Sequence, residues 1–198
     1  TVRAALLAQR VRPFILRRRK QDVATELPPR TEVIQRVQLQ GRQRELYESV
    51  RVAADKQVRR VLQRQNFAGA QISILDALLK LRQVCCDPYL VRGSEIGADM
   101  ERAKLEALTD LLVPLVDEGR RVLVFSQFTG LLELIADALS ALRLPFLSLT
   151  GNTRPAQRGE VVKRFQSLEV PVLLVSLKAG GVGLNLTAAD TVIHMDPW

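Results

Sequence analysis

Hydrophobic positions follow two different rules on either side of Glu101. Before it, Leu46, Val50, Ala53, Val58, Val61 and Leu62 recur at helical spacing, which predicts a helix over Arg42–Gln65. A second, strongly apolar helix is predicted over Ile72–Cys86, stopped by Asp87-Pro88. Thr31–Leu39 alternates apolar and polar residues and predicts a strand. The opening RPFILRRRKQDVATELPPRTE sets Phe14, Ile15 and Leu16 beside Arg17, Arg18, Arg19 and Lys20, and Pro28-Pro29 reads as a hinge into that strand.

After Glu101 short apolar runs alternate with amphipathic segments. Strands are predicted at Arg121–Phe125, Pro145–Leu149, Val170–Val175 and Thr191–Met195, with helices at Lys104–Glu118, Leu131–Leu142 and Pro155–Gln166. Continuous apolar strands separated by helices imply a parallel sheet covered on both faces. The expected architecture is therefore α/β: a RecA-like or Rossmann-like lobe over 101–198, preceded by a mainly helical connector and extension over 1–100. Ligands of such sheets sit beyond the carboxyl ends of the strands. Those ends are polar here: Ser126-Gln127-Phe128, Thr150-Gly151-Asn152-Thr153, Ser176 to Gly181, and Asp196.

Composition narrows the partners. The net charge of +8 is uneven: residues 1–104 carry 21 Lys and Arg against 11 Asp and Glu, whereas 105–198 carry 8 against 10. The basic excess of the front half suits a polyanion such as DNA or RNA, although solvated helix faces use arginine equally well. No apolar run reaches the length of a membrane span, and residues 1–20 lack the apolar core of a signal peptide, so a cytoplasmic protein is expected. Cys85 and Cys86, adjacent in sequence, are expected to be buried free thiols, and with a single histidine, His194, no histidine-based zinc site and no metal site is expected.

Ser176 to Gly183 combines a hydroxyl, the Lys178 ammonium and three glycines, whose backbone can aim amides at an anion; a plain turn is the alternative use. It is not a nucleotide loop of the GxxxxGK[ST] type, which is missing from the chain, as is an Asp-Glu pair closing a strand. Thr153, ahead of Pro155, occupies an expected helix N-cap and is suited to capping amides or meeting a phosphate. Arg158 is suited to bracing a neighbouring loop, with a phosphate contact as the alternative, and His194 is expected to be a hydrogen-bonded structural residue more than a catalyst.

Five ordered segments together resemble the second lobe of the Swi/Snf family of DNA-dependent ATPases, within the superfamily-two helicases. RPFILRRRKQDVATELPPRTE resembles the connector between lobes, LLKLRQVCCDPYL the helix preceding lobe two, VLVFSQF motif IV, LTGNTRPAQRGEVVKRF the following segment, and VSLKAGGVGLNLTAADTVIHMDPW motif V. The Cys-Asp-Pro at 86–88 resembles bacterial members. The resemblance implies an ATP-dependent translocase or remodeller of double-stranded DNA, with Ser126, Gln127, Thr153, Ser176, Lys178 and Gly180 on DNA phosphates and Gly183 and Asn185 toward ATP. It also implies an amino-terminal RecA-like lobe as partner, ATP and Mg as cofactors of the full-length enzyme and none for this fragment, and no catalytic residue in this chain.

Motif VI, with its catalytic arginine, would follow Trp198, so 101–198 is expected to be a lobe cut before that motif and inactive alone. The DNA-facing aromatic of relatives falls at Trp198 or the next residue. RNA polymerase or another DNA-bound protein is a further expected partner, with a nucleoid or nuclear location. The competing readings are a non-enzymatic RecA-like docking module of a transcription or repair complex, and an RNA-directed helicase.

Overall fold

The computed structural model describes residues 2–15, 30–64, 67–91, 97, 99–180 and 183–197. The predictions that concern Leu16 to Pro29, Gly181 and Trp198 lie outside the described residues. The chain divides into two compact units, Thr1–Arg36 and Val37–Trp198. In the first, α1 (Val2–Val11) is followed by a short turn, and Phe14 and Ile15 are exposed.

The second unit begins with a helical pair, α2 (Gly41–Arg64) and α3 (Phe67–Cys86), and a 3-10 turn at Pro88–Leu90. The sheet region comes next as α4 (Ala103–Asp117), β1 (Val122–Ser126), α5 (Thr129–Ala141), β2 (Phe146–Leu149), α6 (Pro155–Gln166), β3 (Val172–Ser176), the single-turn α7 (Leu177–Gly180) and β4 (Thr191–His194). The four strands form one parallel sheet in the order β2-β3-β1-β4.

The apolar strand runs are explained by burial on both faces. Val122, Val124, Val172 and Leu174 face a core with Leu105, Leu108 and Leu112 of α4 and Leu131, Ile135 and Leu139 of α5. The alternate residues Leu123, Leu173 and Val175 face a second core with Phe165 of α6, Leu149 and Ala179. Helices on both sides leave no strand position in water at the centre of the sheet, so alternation disappears from the sequence. The parallel sheet covered on both faces, expected from the pattern as a RecA-like or Rossmann-like lobe, is the observed one.

Thr31–Leu39 is not a strand: it is irregular throughout, and Val33 and Ile34 remain exposed. Alternation without a partner strand supplies no ladder of hydrogen bonds.

Candidate nucleic-acid and nucleotide interface

Register builds the site. Ser126 of β1 pairs directly with Ser176 of β3, while Leu149 pairs with Val175 and Phe125 with His194. Thr150, Ser176, Ser126 and Met195 therefore stand in one row where all four strands end. Residues far apart in sequence meet there because parallel strands deliver every carboxyl end to the same side.

Both serines are buried, and both hydroxyls are engaged in turns. Ser126 Oγ accepts the Phe128 N–H at 2.9 Å and Ser176 Oγ accepts that of Ala179 at 3.3 Å. Gln127, half-buried, donates its backbone N–H to both Asp196 oxygens at 3.2 and 3.1 Å. Its side-chain Nε2 is covered and has no partner. Lys178 is exposed on α7 and forms no ion pair among the described residues. Gly180 lies against the Phe125 ring so closely that a Cβ would sit 2.7 Å from the ring edge, which fixes glycine at this position.

Thr153 does not cap α6. The N-cap is Arg154, without a side-chain bond, and Thr153 Oγ1 instead accepts the Thr150 N–H at 3.0 Å, closing the loop one residue earlier. Pro155 at the first helical position, having no N–H of its own, lessens the need for a cap. Arg158 donates from Nε to the Thr153 carbonyl at 3.2 Å, the bracing role expected of it. His194 is exposed and held by stacking on Phe125, with ring centroids 5.4 Å apart, instead of by the expected hydrogen bond.

Gly183 and Asn185 lie on the stretch that returns the chain from the end of β3 to the start of β4, and both are exposed. Gly183 has a φ of 53°, a left-handed turn that glycine adopts without strain. Gln166 brackets the Asn185–Ala188 stretch: its Nε2 donates to the Asn185 carbonyl at 3.4 Å and to Thr187 Oγ1 at 3.0 Å, and its Oε1 accepts the Ala188 N–H at 2.8 Å. Thr153 precedes the first turn of α6 and Asn185 is held at its last, so the two are separated by roughly 17 Å along the helix. Thr153 and Asn185 thus lie on different parts of the unit.

Sequence reasoning gave no role to Asp196, Lys104, Arg82 or Gln166. Asp196 is buried, and that burial pushes its carboxyl above the ordinary 3.8; the opposing influences, in order, are the Gln127 N–H, the Ser126 hydroxyl, Arg82 and Lys104. Lys104 donates to the Met195 carbonyl at 2.7 Å, and the Arg82 guanidinium lies 5.9 Å from the centre of the Phe128 ring. The one signal for Asp196 in the sequence was its place immediately after an apolar strand.

Residues 2–90 match the SNF2-related domain, and residues 103–198 match the helicase conserved C-terminal domain. The core of the Sulfolobus solfataricus SWI2/SNF2 ATPase in complex with dsDNA superimposes with a TM-score of 0.74 at 28% identity, over 98% of this chain and 41% of that one. The chain belongs to the Swi/Snf family. An uncharacterized ATP-dependent helicase of Mycoplasma pneumoniae is 34% identical over 194 residues, covering 98% of this chain and 18% of its own length. The CHD3-type chromatin-remodeling factor PICKLE of Arabidopsis thaliana is 35% identical over 196 residues, covering 93% and 14%. This Swi/Snf chain thus spans less than a fifth of the length of these two curated relatives.

Proposed function

We propose that this chain supplies the connector and second lobe of an ATP-dependent double-stranded DNA translocase, gripping the DNA backbone at its strand ends and facing ATP along the return stretch after β3. The observation that carries the reading is the strand-end row itself. It sets the free Lys178 ammonium and the unspent Gln127 amide beside two serine-anchored turns, in a fold like that of a SWI2/SNF2 core bound to dsDNA. Gln127, Thr153, Lys178 and the backbone at Gly180 contact phosphates, while Ser126 and Ser176 serve through the turns their hydroxyls hold. Such contacts fix position without reading sequence and weaken steeply with salt.

Gly183 and Asn185 form the nucleotide-facing group, on a stretch held from behind by Gln166. ATP supplies the phosphoryl transfer that drives closing and reopening of the cleft. This chain's part is to present a rigid surface that carries the duplex with it. Among the described residues no group of three or more His, Cys, Asp and Glu is placed to bind a metal ion. Magnesium and the phosphate-cradling lysine belong, in this reading, to the amino-terminal lobe, which is the chain's first partner. A DNA-bound protein such as RNA polymerase is the object moved, in the nucleoid or nucleus; among the described residues no helix is long and apolar enough to cross a membrane.

ATP hydrolysis by the full-length protein, measured with and without duplex DNA, tests the reading. Stimulation by duplex, and competition by duplex better than by RNA, is expected. Absence of stimulation overturns it, and duplex binding indifferent to salt would return the chain to the docking-module reading.

A further inference from the structure

Asp196 makes none of the proposed phosphate or nucleotide contacts, yet it is a buried acid beside the strand-end row whose carboxylate meets the turn after β1. It lies two residues beyond β4, only 6% exposed. Its two oxygens accept the Gln127 N–H, at 3.2 and 3.1 Å, and the Ser126 hydroxyl bonds to the same carboxylate. Ser126 Oγ in turn accepts the Phe128 N–H at 2.9 Å. The carboxylate thereby holds the Gln127 N–H directly and faces the hydroxyl that holds the Phe128 N–H, at the turn from β1 into α5.

Positive charge reaches it from the two helices that precede the sheet. Lys104 of α4 holds the adjacent Met195 carbonyl at 2.7 Å, and Arg82 of α3 lies over Phe128, whose backbone ends the Asp196–Ser126 chain of bonds. Four segments, α3, α4, the β1–α5 turn and the end of β4, thus converge on one buried acid.

Stability alone does not account for an acid here. Desolvation is the largest influence on the carboxyl and raises its titration, so ionising it costs more in the fold than in the unfolded chain. An asparagine of the same shape avoids that penalty. It lacks the second acceptor oxygen, however, and turns an N–H₂ group toward the hydroxyl or the cations.

We propose that Asp196 is the positioning residue of the DNA grip, holding the Ser126–Phe128 turn in its gripping conformation and tying it to α3 and α4 so that all move as one body. This rests on the Gln127 turn being part of the DNA-facing surface.

The test uses the full-length protein with Asp196→Ala and Asp196→Asn, and with Gln127→Ala and Lys178→Ala as reporters of the surface itself. The readouts are the duplex concentration for half-maximal ATPase stimulation, the KM for ATP, and the melting midpoint. Asp196→Ala is expected to raise the half-saturating duplex concentration about tenfold and Asp196→Asn about fourfold, with the KM for ATP unmoved. The asparagine variant should melt at or above the wild-type midpoint at pH 7. That advantage should close as pH falls, because a raised carboxyl contributes stability below its unfolded titration and loses it as pH rises through the folded one.

Wild-type duplex response in Asp196→Asn, with Gln127→Ala and Lys178→Ala both weakened, overturns the positioning role. So does a parallel rise in the KM for ATP, the signature of general damage. If the two reporters leave the duplex response unchanged, the DNA-facing surface is elsewhere and the proposal falls with it. Should the alanine variant not fold, the asparagine variant alone decides between these outcomes.

Discussion

Cys86 packs into the core beneath α4, and burial, the largest influence, pushes its thiol up to about 11, against a smaller opposing pull from Lys104. Reaction requires the thiolate, so at pH 8 only about one thiol in a thousand is competent, against roughly a quarter for a free cysteine. Alkylation of Cys86 by iodoacetamide, followed by mass spectrometry, should therefore be at least about a hundredfold slower in the native protein than in urea. Cys85, half-buried and raised in the same direction, should follow Cys86 more weakly. Free thiols were readable from the adjacency of the pair in sequence, and of the two expected to be buried Cys86 is buried while Cys85 is half-buried. Ser126 and Ser176 were not so readable: their types are right for a phosphate and equally right for a turn, and only burial with the N–H groups of Phe128 and Ala179 in place distinguishes the two.

The helical pair α2 and α3 is attached to the sheet region by side chains that look like ordinary solvated positions in the sequence. Gln43, in the first turn of α2, is fully buried: its Nε2 donates to the Val84 carbonyl of α3 at 2.9 Å, and its Oε1 accepts the Ala103 N–H of α4 at 3.0 Å. One amide thus satisfies both a helix C-terminal carbonyl and a helix N-terminal N–H, groups that no helix can pair internally. Gln43→Ala should lower stability by about 2 kcal/mol in urea denaturation, because two buried backbone groups lose their partner, and should raise hydrogen exchange at Ala103 first. Beside it, the buried Asp87 joins Arg102 at 2.8 Å and the Tyr89 N–H at 3.0 Å, fixing the same junction. Helical periodicity revealed α2 and α3 because it is local. Gln43 was invisible because a polar residue at a helix start is ordinarily solvated, and its two partners are 41 and 60 residues away.

For the whole molecule, charge and topology set what the proposed grip can do. The positive excess lies in residues 1–104, whereas the strand-end row offers, among the described residues, one free ammonium, Lys178, in a half with a slightly negative balance. Salt sensitivity of DNA binding should therefore be spread over the molecule. In the full-length protein, Lys178→Ala should weaken duplex binding and reduce the slope of log affinity against log salt by about one, as measured by fluorescence anisotropy. A slope unchanged within error would remove Lys178 from the phosphate contacts.

The amino-acid sequence by itself determined the α/β class, the parallel sheet and the loops that lie at its carboxyl ends. Each of these comes from local periodicity: four apolar runs buried on both faces, with helices between them. The sequence could not decide strand order, the failure of Thr31–Leu39 to become a strand, or the separation of Thr153 from Asn185 along α6. Those depend on which chain segments become neighbours. Only the tertiary structure placed Asp196 under the Ser126–Phe128 turn with Lys104 and Arg82, because a carboxylate's partners are chosen by three-dimensional proximity and desolvation, neither of which is written in residue order.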